Sequence, residues 1–292
     1  MNSYIDIQAL PVDHAAHRPP GGRLLVRWLG QAGFLVRTAE LTVVIDAYLS
    51  DSLAVNHRGT TLPHTRMMAP PVAPDALRDV DWVLCSHAHS DHMDPGTLPV
   101  IAEHNPKCRF VVPRAERETA LARGVPPDRL VPVNAGEQLE LDGNSTLEIL
   151  PAAHEEIRMD PAGQHHFVGY VLRAEGFALY HSGDCVPFAG LPDLLRAARP
   201  DVALLPVNGR DPRRTTSGIL GNFSFTEAVD LCMSAGISVL LPHHVGMFDF
   251  NTIDPEELKV HMSHVPPGLQ ILPPDPALCY SLQKMQGRKC AC

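Results

Sequence analysis

The sequence predicts an α/β protein made of two β-sheets packed face to face with helices on the outside. Three observations carry this. A strand-rich opening gives way to alternating strands and helices, a second stretch repeats that order, and His and Asp residues recur where strands end.

Short apolar runs at 24–28, 34–38 and 41–45, separated by Gly30, Gly33 and polar turns, read as a meander of strands. From Trp82 the order becomes strand (82–86), helix (96–104), strand (109–112), helix (115–123) and strand (129–133). Strands at 138–141, 146–151, 167–174 and 177–181 follow, then a helix at 189–198 and a strand at 202–207. A helix over 225–235 has Ser224 as its N-cap, a strand covers 238–242, and a helix over 255–263 is entered through Asp254-Pro255. No close repeat or linker separates the halves, so residues 23–284 are expected to be one domain. Residues 1–22, rich in Pro and His from Ala9 onward, are expected to be an irregular lead-in, and residues 285–292 a flexible tail. The segment 51–80, with its Pro-rich 69–74 stretch, lacks periodicity and is expected to be a loop over the site.

Composition narrows the function classes. With 292 residues and 45% hydrophobic content the chain fits an ordinary globule with a substantial core. A formal charge of -9 argues against a nucleic-acid partner or an anionic membrane. No apolar stretch approaches a membrane span and residues 1–6 lack a charged-then-apolar leader pattern, so a cytoplasmic location is the expectation. Seven cysteines, an odd number without framework spacing, argue for buried thiols rather than a disulfide scaffold. Cys290 and Cys292 could take up stray metal or oxidise, but a tail without a role is the simpler reading. Self-association as a homo-oligomer is left open.

The chemistry concentrates in Ser86-His87-Ala88-His89-Ser90-Asp91-His92, four metal-ligand side chains where an apolar strand opens into a turn. Side chains two apart project to one side of an extended chain, so His87 and His89 can share one cation while Asp91 and His92 serve a second. Imidazole and carboxylate suit zinc, manganese or iron. Later strands end in the same residue types. Glu148 to His154 runs into a histidine, Phe177 to Asp184 delivers an aspartate through a Ser-Gly turn, and Val239 to His244 ends in two histidines. Four such clusters make coincidence a poor account.

Through the His87-x-His89-x-Asp91-His92 turn, Pro151-x-x-His154, His181-Ser182-Gly183-Asp184 and Pro242-x-His244, in that order, the chain resembles the metallo-β-lactamase superfamily. The resemblance implies a four-layer αβ/βα sandwich with a two-metal cleft at the strand ends. It also implies that His87, His89 and His154 hold one metal, that Asp91, His92 and His244 hold the other, and that Asp184 bridges them. Asp46 falls where the family carries an early structural aspartate. Of the adjacent His243 and His244 only one should face the metals; the spacing from Pro242 favours His244, leaving His243 to contact substrate or brace the loop. Residues 27–34, 180–184 and 201–211 are similar to the L-ascorbate-6-phosphate lactonase branch.

Two cations about 3.5–4 Å apart would lower the pKa of a shared water to about 7, giving a hydroxide that attacks a carbonyl or phosphorus centre. Asp91 and Asp184 are the catalytic candidates, Asp91 also as a proton shuttle. Neutral His ligands need their second nitrogen held, and Asp46 is expected to do this. Substrate contacts are expected from Arg66, His181, Asn208, Arg210, Arg214 and His243, with Arg213, Asn222, His165 and His166 nearby, since arginine suits phosphate or carboxylate. Charge pairing of the arginines to Asp211 is the competing expectation. The favoured function is a hydrolase using two divalent metals, zinc or manganese with iron as a third choice, on a small anionic substrate such as a sugar-phosphate lactone. A phosphodiesterase is the alternative, and a non-hydrolytic metal or redox protein the alternative of another class. A redox relative is expected to carry a carboxylate where this chain has His89.

Overall fold

Runs such as Val43-Val44-Ile45, Trp82-Val83-Leu84 and Phe110-Val111-Val112 have no polar face, so they can be strands only where both faces are covered. The computed structural model of the chain describes residues 3–286 and buries all three runs. In chain order the first half comprises β1 (Ser3–Pro11), β2 (Arg23–Trp28), β3 (Phe34–Arg37), β4 (Thr42–Ile45), α1 (Ser52–Asn56), β5 (Trp82–Leu84), α2 (Leu98–His104), β6 (Arg109–Pro113), α3 (Arg117–Ala122) and β7 (Leu130–Val133). Next come β8 (Gln138–Asp142), β9 (Ser145–Pro151), β10 (Val168–Ala174), β11 (Phe177–His181), α4 (Leu191–Ala198), β12 (Val202–Pro206) and α5 (Pro212–Thr216). The chain then forms α6 (Phe225–Ala235), β13 (Val239–His243), α7 (Pro255–Met262), β14 (Gln270–Ile271) and β15 (Leu278–Gln286).

The strands form two sheets. One has the order β1-β15-β2-β3-β4-β5-β6-β7, the other β14-β13-β12-β11-β10-β9-β8. The first is antiparallel from β1 to β4 and parallel from β4 to β7. The second is parallel from β14 to β11 and antiparallel from β11 to β8. Parallel neighbours need a crossover, and helices supply it.

Alternation sorts the side chains of the first sheet. Val43, Ile45, Leu84 and Val111 join a core shared with Leu147, Ile149 and Tyr170 of the other sheet. Their neighbours Val44, Val83, Phe110 and Val112 turn the other way, against Leu98 and Ile101 of α2 and Ala120 of α3. On the second sheet α4 and α6 pack together, and α6 lies on β12 and β13. The result is the four-layer αβ/βα sandwich that the sequence predicts. Helix α6 begins with a reciprocal capping box between Ser224 and Glu227 and stops at Gly236, whose φ of 75° is left-handed.

Two expectations about the ends are corrected. Residues 3–11 are not an irregular lead-in but a strand paired along its length with β15, which itself takes in 285 and 286 of the expected tail. Ile5 and Ile7 pack on the core while the Asp6 carboxylate between them meets Gln8 on the other face, an edge-strand alternation that the Pro- and His-rich stretch behind it obscured. The remainder of the tail, with Cys290 and Cys292, lies outside the described residues.

Candidate metal centre

Ligands in open α/β sheets bind beyond the carboxyl ends of parallel strands. Asp46 follows β4, the His87–His92 turn follows β5, Asp184 follows β11, and His244 follows β13. Antiparallel β9 runs out to His154 at the same place.

Asp46 organises the turn. It is fully buried with φ of 43°, accepts from Ser86 N at 2.7 Å and from the Ser86 hydroxyl, and accepts a hydrogen bond from His92 Nδ1–H at 2.7 Å. Ser86 Oγ also lies 3.0 Å from His87 Nδ1, so one carboxylate orients two imidazoles, the second through a hydroxyl. His154 Nδ1 is held by the Gly221 carbonyl at 3.2 Å. With Nδ1 occupied, each ring presents Nε2 to the centre. Gly183 brings Asp184 against this turn. Its φ is 60°, and a Cβ there would fall 2.6 Å from Ser86 Cβ.

The ligating atoms fall into two groups, each within 4.8 Å: His87, His89, His154 and Asp184 in one, Asp91, His92 and His244 in the other. Asp184 reaches both. Its Oδ1 lies 2.6 Å from His244 Nε2 and 3.2 Å from His92 Nε2, while its Oδ2 faces His154 Nε2 at 3.6 Å.

The residues present fit a cation. His87 Nε2, His92 Nε2, His244 Nε2 and Asp184 Oδ1 are buried without a well-aligned hydrogen bond, although Asp184 Oδ1 lies close to both His244 and His92, an arrangement costly unless something else takes their lone pairs. Burial lowers the His87, His89 and His154 pKa values, His154 to about 4, so these imidazoles are neutral, as ligands must be. Burial works against charge on His92 too, but the carboxylates of Asp184, Asp46 and Asp91 override it and raise its pKa well above the usual range. Asp184 is shielded from water, yet His244 and His92 hold its carboxyl well below the ordinary value. Three carboxylates around buried imidazoles call for positive charge.

A family model described as a beta-lactamase superfamily domain matches residues 42–245, from β4 to just past His244. The chain belongs to the metallo-β-lactamase superfamily. Curated relatives of this superfamily member include a UPF0173 metal-dependent hydrolase of Saccharolobus solfataricus, 28% identical over 63% of this chain and 72% of the relative. A protein of the same name from Myxococcus xanthus is 27% identical over 89% of this chain and 84% of its own. They support the superfamily and not the ascorbate 6-phosphate lactonase branch that residues 27–34 resemble. Among solved structures, the metallo hydrolase Igni18 of Ignicoccus hospitalis has a TM-score of 0.64 at 18% identity, covering 91% of this chain and all of that one (100%). CmlA, a diiron beta-hydroxylase from Streptomyces venezuelae, has a TM-score of 0.63 at 16% identity, covering 92% of this chain and 55% of that one. These structures carry the fold alone, and a fold shared by a hydrolase and a hydroxylase leaves the reaction to the site.

Within this metallo-β-lactamase framework the sequence reading missed Gln31. Its carboxamide Nε2 lies 2.8 Å from Asp91 Oδ2 and 3.1 Å from His244 Nδ1, and its carbonyl accepts from His244 N at 3.1 Å. Its signal was the Gly30-Gln31-Ala32-Gly33 turn, read only for its likeness to a family. His244 enters the cluster, whereas His243 is buried behind it, stacked on His181 at 5.1 Å and an interplanar angle of 9°. His181 donates to Ala32 O at 2.9 Å and accepts from Gly183 N at 3.0 Å. Neither His181 nor His243 lines the cleft, which corrects both as substrate contacts.

The expected arginines and Asn208 are also spoken for. Arg66 donates to Tyr48 O and Ser50 O at 3.0 Å and sits over the Tyr48 ring. Arg210 forks onto both Glu227 oxygens at 2.7 Å, and Arg214 binds Asp211 and the Asn208 carbonyl. Asn208 itself donates to Asn251 at 2.7 Å. Glu227 and Asp211 neutralise Arg210 and Arg214, and none of Arg66, Arg210, Arg214 and Asn208 lines the cleft; Arg213, without an acid partner among the described residues, borders a neighbouring hollow with Ile219 and Phe250. His165 and His166 likewise bind Asn134 and Glu116. The cleft, about 460 Å³, instead meets His57, His64, Arg123, Phe248 and Phe250. His57 and His64 come from the aperiodic 51–80 segment, which does border the site.

Proposed function

We propose that this superfamily member is a metal-dependent hydrolase, as its curated relatives are named, acting on a small anionic ester or lactone. The observation that carries the reading is Asp184 reaching both ligand groups with its two oxygens. Two divalent cations, zinc or manganese with iron as a third choice, would supply Lewis-acid polarisation and acidify water there. His87, His89 and His154 would hold one, Asp91, His92 and His244 the other, with Asp184 shared.

The chain's own groups supply the rest. Asp91 keeps Oδ2 on Gln31 and leaves Oδ1 to take a proton from the attacking water and return it to the leaving oxygen. Its side chain, 15% exposed, stands at the cleft floor, whereas Asp46 at 0% is sealed beneath and serves to orient His92 and His87. With Arg210 and Arg214 in internal pairs, the sugar-phosphate form of the substrate loses two of the three arginines that suggested it, and the wider class of anionic esters is the better-supported reading.

Elemental analysis of the purified protein, paired with a lactone and phosphodiester panel, tests the reading. Metal and ester turnover present in the wild type and both lost in Asp184→Ala are expected. Metal-replete protein that leaves every ester intact overturns it, and bis(p-nitrophenyl) phosphate turned over far faster than lactones moves the bond to phosphodiester.

A further inference from the structure

The wall of the cleft facing the ligand cluster carries a substrate preference, which rests on the hydrolase reading above. Arg123, the residue that ends α3, borders the cleft beside His89 and Asp91 and is the single Lys or Arg among the residues lining it. Its Nη1 donates to Met93 O at 2.8 Å, and its other guanidinium nitrogens make no hydrogen bond among the described residues. The acids around it are engaged elsewhere. Glu116 is bound by His166 and Thr119, and Asp94 by the hydroxyls of Ser50, Ser52 and Thr97. Asp91 is bound by Gln31 and belongs to the ligand cluster. A half-buried guanidinium with free N–H groups and no direct carboxylate partner is suited to a planar anion.

Apart from Arg123 and the candidate ligands, the lining is mainly apolar and aromatic, with Ser90 and Asn251 as its uncharged polar side chains, Asn251 already bound by Asn208 and Arg214. Leu53, Ile219, Phe248 and Phe250 line it with the His57 and His64 rings, which lie 4.0 Å apart. His64 meets Phe248 and Phe250 edge-on at 5.3 and 4.8 Å, and burial lowers its pKa, so this ring is uncharged at neutral pH. A polyol would find little there to replace its hydration. We propose that the cleft takes an ester or lactone bearing one carboxylate or phosphate, held by Arg123, and an apolar body of about ring size lying on the Phe248–Phe250 wall. Such a substrate satisfies both surfaces at once; a sugar-derived one satisfies only the arginine.

The test is equilibrium binding of 4-phenylbutyrate and its neutral amide to the metal-loaded protein by calorimetry, alongside turnover of aryl esters with and without a carboxylate. Arg123→Gln is expected to weaken the acid about ten- to a hundred-fold, the range of a charged hydrogen-bonded contact, and the amide less than about three-fold. Arg123→Lys should restore part of the acid's binding. Phe250→Ala should weaken both ligands about equally and about ten-fold. Equal loss of acid and amide in Arg123→Gln, or no loss of either, overturns the inference, as does unchanged binding in Phe250→Ala. The binding pattern does not depend on turnover, so the expected pattern with every ester intact would reject the hydrolase reading while leaving the ligand preference standing.

Discussion

Gln31 Nε2 donates to Asp91 Oδ2 at 2.8 Å, tying the turn between β2 and β3 to the turn after β5. The same carboxamide touches His244, so two ligands of one group share a support that is not itself a ligand. Gln31→Leu keeps the volume and removes the polar contacts. It should lower affinity at the Asp91–His92–His244 group about 10- to 100-fold while sparing the other group. Metal titration of the variant, followed by elemental analysis, would read this as one cation retained and one lost. Equal loss of both would show that Gln31 supports the fold rather than one group.

Asp46 and His92 form a buried pair at 2.7 Å, both side chains 0% exposed. Removing one partner leaves the other unpaired in the interior. Asp46→Ala should cost about 3–5 kcal/mol in metal-free protein, measured by urea unfolding, and metal should recover only part of that. A loss under about 1 kcal/mol would mean that water replaces the carboxylate.

Gly183→Ala sets a Cβ 2.6 Å from Ser86 at a φ of 60°. Strain of about 1–3 kcal/mol is expected, relieved by moving Asp184 away from the turn. The variant should therefore melt earlier and bind less metal. Ser224→Ala, which removes the α6 cap, is the comparison: about 1 kcal/mol of stability with metal content unchanged.

Acid should destabilise the metal-free protein. Burial lowers the pKa values of His87, His154, His181 and His243, with neighbouring imidazoles adding to the shift at His87, His154 and His243. A depressed folded-state pKa means that the unfolded chain binds the proton first, so this stability is complete above about 6.5 and is lost as pH falls toward about 4, the His154 value. His92, raised, acts in the opposite direction but is outnumbered, since His64 and His89 are lowered as well. Melting temperature measured from pH 8 to 4 should fall through that window. His243 has both ring nitrogens buried without partners, so His243→Leu should flatten the decline and stabilise the protein by about 1–3 kcal/mol at pH 5.

The parallel strands and the turns that gather the His and Asp cluster were legible because their cause is local. A strand covered on both faces reads as an unbroken apolar run, and a ligand turn reads as His and Asp where that run stops. Helix α6 was legible from Ser224 and the periodic apolar residues behind it. Strand β1 was not, because an edge strand needs a partner, and that partner lies at positions 278–286. On the substrate side the sequence left two readings of the arginines open, and the structure pairs Arg214 with Asp211 as the second of them expected. Arg210 looks free in sequence, and only the fold places Glu227 against it; Arg123 looks like an ordinary charge near a helix end, and only the fold turns it into the cleft.

The pairing of β1 with β15 has an effect on timing. During synthesis residues 3–11 emerge well before the strand they must pair with, which follows only after some 270 more residues, so this segment waits for its partner. Until then β2 exposes the backbone edge that β15 will cover, and an apolar strand with an open edge is where a foreign strand can attach. Chains halted before Leu278 should thus be caught by holdase chaperones or form aggregates, even though every candidate ligand from His87 to His244 has already been made.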